Sequence, residues 1–128
     1  MTIQECYQKL GGDFTQVQKR LPSVSLVKRF ITKFLEDGSF SDLCQAVREA
    51  RREEAFRAAH TLKGVSANLG FDRLSVSVGR LTELLRPETD RIPEGCAPLL
   101  EEVKRDYELT ASTIRAYLDC ADESKDQL

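Results

Sequence analysis

Apolar residues recur along this chain at a helical interval, in stretches separated by glycine, proline and capping residues. Ile3, Cys6, Tyr7 and Leu10 make the first stripe, opened by a Thr2–Glu5 capping-box pair and stopped by Gly11-Gly12. Asp13 and Gln16 repeat the start signal for a short helix to about Arg20, ended by Pro22. Val24, Val27, Phe30, Ile31, Phe34 and Leu35 predict a helix from Ser23 to Asp37, with Gly38 in a left-handed terminal position. Ser39 and Asp42 open the next helix, with Phe40, Leu43, Val47 and Ala50 inward. Arg51 and Arg52 then stand where a glycine and a capping residue are expected, so the pattern predicts a slight kink there or no break.

Ala55, Ala59, Leu62, Ser66 and Leu69, with Ala58 and Val65 at the edge, form the inward stripe of a helix over about 52–69. Ser66, on that stripe, is expected to bond back to the Leu62 carbonyl. Gly70 and Phe71 suit a Schellman ending. Asp72 is the expected cap of a helix over 72–86, with Phe71 and Val76 as its hydrophobic staple and Leu74, Val78, Leu81 and Leu85 as its stripe. Arg86 to Pro98 holds three prolines and a glycine and reads as the longest loop. Pro98 suits the first turn of a last helix to about 120, striped by Leu99, Val103, Tyr107, Thr110, Ile114, Tyr117 and Leu118. No segment alternates as a strand does. The pattern predicts an all-α protein, an antiparallel four-helix bundle with additional N-terminal helices. Residues 1–22 are short helices that either dock on the bundle or pair chains, docking being the better use of their apolar faces. Residues 23–121 form the bundle and 122–128 a frayed polar tail.

Composition narrows the function classes. The chain has 128 residues, enough for one core, and a net charge of −2, so no basic field draws it to nucleic acid or an anionic membrane. No apolar run approaches a bilayer-spanning length and the N-terminus lacks a signal-peptide layout, which gives a cytoplasmic protein as the expectation. Cys6, Cys44, Cys96 and Cys120 are far apart, with no CxxC pair and one histidine, so free thiols are expected and a metal site is not.

That histidine, His60, falls outside the apolar stripe of its helix, together with Lys63, Gly64 and Ala67. A solvated imidazole is largely neutral near neutral pH and is a competent nucleophile without an activating base. Lys63, one turn on, can lie beside a group attached to the ring and offer a positive charge to phosphoryl oxygens. Gly64 and Ala67 admit a partner's surface, which gives a reason for a glycine that costs about 0.8–1 kcal/mol in a helix interior. Phe56 and Arg57 lie along the same approach; Arg57 either favours an acidic partner or pairs with Glu53.

His60-Thr61-Leu62-Lys63-Gly64, continued by Val65-Ser66-Ala67-Asn68-Leu69-Gly70, resembles the signature of histidine-containing phosphotransfer (HPt) domains. The resemblance covers about 23–120 and implies a four-helix bundle with the 23–37 helix across an end. It implies that His60 accepts a phosphoryl group from a receiver-domain aspartyl phosphate and passes it to another receiver's aspartate, with Lys63 stabilising phosphohistidine and Gly64 leaving room for the receiver. The implied partners are response-regulator receiver domains and a hybrid histidine kinase carrying one. The protein would be a monomeric carrier with no kinase activity and no cofactor of its own, Mg²⁺ being held by the receiver. Many relatives place a glutamine on the following helix facing the histidine; this chain has Thr82 and Glu83 there, so Thr82 is the candidate to orient the imidazole or a phosphate oxygen, while Glu83 would repel phosphate. Position 65 is valine where several relatives have a small polar residue.

Other classes fit less well. A metal or haem bundle lacks a second ligand, since Met1 is the only methionine. The dimerisation helix of a histidine kinase usually follows its histidine with an acidic residue and a nearby proline, and Thr61 and Leu62 stand here. An adaptor that binds receivers without relaying phosphate would keep the docking face and not depend on His60.

Overall fold

The computed structural model describes residues 1–120, so the expected polar tail over 122–128 lies outside the described residues. Short helices α1 (Ile3–Leu10) and α2 (Phe14–Arg20) precede α3 (Val24–Glu36), α4 (Ser39–Arg48), α5 (Arg52–Asn68), α6 (Asp72–Leu85) and α7 (Cys96–Cys120). The last four form the antiparallel bundle, with α5 against both α4 and α6, and α6 against α7. Phe40 closes α4 onto α7 by an edge contact with Tyr107, ring centres 3.9 Å apart. The core runs through every helix, from Ile3 and Tyr7 through Val27, Ile31 and Phe34 to Leu43, Leu62, Leu81, Val103 and Ile114. All four cysteines are free thiols, three of them buried.

Caps explain most of the boundaries. Thr2 Oγ1 accepts from Glu5 N at 3.1 Å, Asp13 Oδ1 from Gln16 N at 3.3 Å and Ser23 Oγ from Leu26 N at 3.1 Å, each satisfying a free first-turn amide. Four expectations change. Gly38 is not left-handed, with φ −86°, and α4 is opened by Asp37, whose Oδ1 accepts from Ser39 N at 2.8 Å, not by the Ser39 side chain. Asp72 is the first residue of α6 and makes no cap, and Val76 is 56% exposed, so the staple to Phe71 does not form. Phe71 turns instead to Phe34 and Tyr7, ring centres 5.0 and 5.8 Å away. The final helix opens at Cys96, two residues before Pro98.

The fourth difference lies between α4 and α5, where the chain breaks fully. Ala50 takes a left-handed φ of 57°, Arg51 N donates to Ala46 O at 2.8 Å and Ala50 N to Val47 O at 3.1 Å. This is a Schellman motif with alanine where glycine is usual, and it leaves Ala50 exposed, not inward. Arg52 starts the new helix and buries its side chain, Nη1 donating to Leu85 O at 2.7 Å and Nε to Thr89 O at 2.8 Å. A guanidinium thus serves the end of α6 and the loop behind it.

The other end of α5 is held more heavily. Gly70 has φ 73°, Phe71 N donates to Ser66 O at 2.9 Å and Gly70 N to Ala67 O at 3.1 Å, the expected Schellman ending. The α1–α2 pair docks there and supplies donors to the remaining carbonyls. Tyr7 Oη donates to Leu69 O at 2.7 Å, Arg20 Nη2 to Asn68 O at 2.9 Å, and Asp13 N to Gly70 O at 3.3 Å. A Cβ on Gly12 would collide with Gly70 O, and one on Gly70 with Val17. The N-terminal helices are a cap on the helix that carries His60, built from residues 47 to 62 positions away in sequence for Arg20 and Tyr7.

Candidate functional site

Helix α5 buries Ala55, Ala59, Leu62 and Ser66 and turns His60, Gly64 and Ala67 to solvent. Among the described residues no helix covers the face that carries them. A Cβ built on Gly64 would meet nothing within 4 Å, so the fold does not require glycine there and the gap lies open to a partner. Phe56, one turn before His60, is half-buried and stacks with the imidazole, ring centres 5.9 Å apart and planes 26° from parallel. The ring of His60 therefore has one side partly fixed and the other free.

Lys63 is half-buried because its stem crosses Gly79 of α6, where an added Cβ would sit 3.6 Å from Lys63 Cε and 3.9 Å from Cδ. A glycine on the neighbouring helix thus makes a bed for the lysine, which brings the ammonium along the α5–α6 seam without covering His60. One turn beyond Gly79 comes Glu83, and three residues later Arg86; the two form a two-pronged pair, Nε–Oε2 3.0 Å and Nη2–Oε1 2.9 Å. That pair, with Lys63 adding to it, holds the Glu83 carboxyl below the ordinary carboxylate range. The guanidinium of Arg86 lies 5.2 Å from the centre of the Phe56 ring.

One expected site residue falls elsewhere. Thr82 is fully buried, and its hydroxyl donates to Val78 O at 2.7 Å within α6, so it cannot reach the imidazole's open side. Gly79 and Glu83 of α6, with Arg86 just past its end, lie on the side that meets α5, off the Leu74, Val78, Leu81 and Leu85 stripe, and that spacing is the signal that identifies them. Arg57 is exposed and pairs with Glu53 at 2.7 Å, the second of its two expected roles, and Arg51 pairs with Glu49 and Glu54. With Arg52 buried under α6, these arginines give the face no concentrated positive charge. Ser66 is buried, and its hydroxyl has no partner among the described residues in place of the expected bond to Leu62.

An apolar groove of about 250 Å³ flanks the open face, lined by Phe30 and Phe34 of α3 and by Val65 and Leu69. Phe30, 39% exposed, lies at its rim with the Lys33 ammonium 5.7 Å from its ring centre. Val65 belongs to this groove. Among the described residues no cluster of three or more His, Cys, Asp or Glu is placed to hold a metal ion, and no helix is long and apolar enough to cross a membrane.

The arrangement is an exposed imidazole on an open helix face, a lysine one turn on whose stem crosses Gly79 of α6, and open space over Gly64. Compared with known families, residues 26–118 match the model of the Hpt domain, a match that begins inside α3 and leaves the α1–α2 cap outside it. No curated protein and no solved structure matches the chain. Hpt domains carry phosphoryl groups in two-component relays, as carriers and not generally as kinases. The match spans well over half of the chain, and the all-α helical bundle agrees with it: this protein belongs to the Hpt domain family.

Proposed function

We propose that the protein is a relay intermediate in which His60 takes a phosphoryl group from a receiver's aspartyl phosphate and gives it to the aspartate of a second receiver. The observation that carries this reading is the open space over Gly64, one turn from an exposed imidazole, in a helix interior where glycine is otherwise a cost. In the forward step an imidazole nitrogen lone pair attacks phosphorus. The P–O bond to the aspartyl group breaks, its electron pair stays on the leaving carboxylate, and the ring's proton on the other nitrogen is released to water. The return step is the reverse toward a new carboxylate. Lys63 lies beside the transferring group and offsets its negative charge. Mg²⁺ belongs to the receiver in this scheme, and the phosphoryl donor arrives from outside the chain.

Supporting the docking of a receiver are the exposed Gly64 and Ala67 and the apolar groove beside them, lined by Phe30, Phe34, Val65 and Leu69. We take the protein to act as a monomer in the cytoplasm, where receivers are loaded. The test is transfer of labelled phosphate from a phosphorylated receiver with Mg²⁺. The wild type gains an acid-labile, base-stable label and His60→Gln gains none, with receiver binding and thermal unfolding unchanged. Label that survives acid, or that persists in His60→Gln, overturns the relay. A receiver that binds both proteins equally and labels neither makes this chain a non-relaying adaptor.

A further inference from the structure

The imidazole of His60 is exposed, and among the described residues no hydrogen bond reaches either of its nitrogens. Its orientation therefore rests on ring contact. Phe56, one turn earlier on α5, stacks on it with centres 5.9 Å apart and planes 26° from parallel, within the range where aromatic pairs attract. Phe56 is itself supported from α6. It is half-buried, and the Arg86 guanidinium lies 5.2 Å from its ring centre, paired in turn with the Glu83 carboxylate. A row of flat groups thus runs from α6 to α5: carboxylate, guanidinium, phenyl ring, imidazole. It ends one turn before the open space over Gly64.

Taking His60 as the phosphoacceptor, as above, we propose that Phe56 is a positioning residue, whose ring sets the plane of the imidazole and so aims one nitrogen at the incoming phosphorus. The attacking lone pair lies in the imidazole plane, so the direction of attack turns with the ring. In-line transfer needs that lone pair opposite the bond that breaks, and a misplacement of about 1 Å costs on the order of 10²-fold. A stacked ring fixes the plane without touching either nitrogen. One is left free to take phosphorus and the other to lose its proton to water. A hydrogen-bonded partner, the common way of orienting a histidine, would instead select one tautomer and occupy one nitrogen.

Phosphoramidate tests this on the whole protein without any receiver: its P–N bond breaks, phosphorus bonds to an imidazole nitrogen, and ammonia leaves with the proton the ring gives up. Phosphorus NMR distinguishes the two phosphohistidine isomers. The wild type gives one isomer in excess. Phe56→Leu keeps an apolar side chain but no flat face, and the excess falls by about two- to tenfold, the range a ring pair is worth. Phe56→Tyr keeps the face and restores the wild-type ratio. With a phosphorylated receiver as donor, Phe56→Leu lowers kcat and leaves KM unchanged. An isomer ratio unmoved by Phe56→Leu, or a Phe56→Tyr no better than Phe56→Leu, overturns the proposal while leaving the relay intact. A change confined to KM does the same, by making Phe56 a docking contact only. Failure of phosphoramidate to label His60 in the wild type overturns the acceptor reading on which the proposal rests.

Discussion

Two glycines six positions apart show how differently the middle and the end of α5 are built. Gly64 has open space where its side chain would be; Gly70 is left-handed, walled by Val17 and joined to the α1–α2 cap through its own carbonyl. The end of the helix is determined by contacts with distant parts of the chain, and the middle by the lack of them. A phosphotransfer face has to be held in position yet remain uncovered. This chain separates the two demands along one helix, anchoring the C-terminus through Tyr7, Arg20 and Asp13 so that the turn carrying His60 needs no covering neighbour.

Breaking the anchored end should give the largest effect on stability. Gly70→Ala forces a Cβ into a left-handed position and against Val17, and the expected loss is about 2–4 kcal/mol in urea unfolding. A loss below 0.5 kcal/mol, on the order of a neutral surface change, would falsify the claim that this junction is tightly built. Tyr7→Phe is next. It leaves Leu69 O buried without its donor, for an expected loss of about 1–2 kcal/mol. Tyr7 also links the cap to pH. Burial pushes its phenol well above the ordinary value of 10.0, so the neutral form is favoured in the folded state. The resulting stability is fully present below about pH 10, where the unfolded chain keeps the proton, and declines as pH rises beyond it. Stability measured at pH 8 and above pH 10 should fall more steeply in the wild type than in Tyr7→Phe; parallel curves would separate Tyr7 from the alkaline loss.

The same contrast explains what could be read from the sequence. Helical spacing placed His60, Gly64 and Ala67 on one outward face and the main stripes inward, because those properties depend on period alone. It also located the Gly70 ending, where glycine marks a left-handed residue. It missed the α4–α5 break because alanine occupies the left-handed position there, and Arg52 carries no sign of the carbonyls it reaches in Leu85 and Thr89. Thr82 enters the site only by the resemblance, as the residue of the following helix standing in for a glutamine. Helix rotation decides otherwise, turning Thr82 into the core and Gly79 toward Lys63. The apolar faces of residues 1–22 predict docking on the bundle but not the carbonyls it serves, since a Tyr7 hydroxyl bonded 62 residues away leaves no local pattern.

In the open middle the expected sign reverses. Gly64→Ala adds a methyl that meets nothing within 4 Å, so the isolated protein should gain about 0.8–1 kcal/mol, the usual difference between alanine and glycine in a helix interior. Transfer should nevertheless slow by about tenfold or more, since displacement of reacting groups by about 1 Å costs on the order of 10²-fold. Unfolding and phosphotransfer measured on the same variant give the answer. A stabilised protein with an unchanged rate would mean that the partner does not approach over Gly64, and the comparison with Gly70 would then concern folding only.

The smallest expected effect isolates the backbone part of that comparison. Ala50 and Gly70 end α4 and α5 with the same pair of Schellman hydrogen bonds, one exposed and the other buried. At Gly70 a side chain is opposed by conformation and by Val17 together; at Ala50 only the conformation opposes it. Ala50→Gly removes a left-handed strain of about 1–2 kcal/mol and adds a glycine entropy cost of about 0.5–1 kcal/mol. The net expectation is a gain of about 0.5–1 kcal/mol, with no change in phosphotransfer because Ala50 lies outside the His60 face. A loss of stability would show that the Ala50 methyl contributes more than its exposure implies. A gain would assign the remaining cost of Gly70→Ala to packing against the N-terminal cap, so the difference between the two substitutions measures how tightly that cap closes on the helix carrying His60.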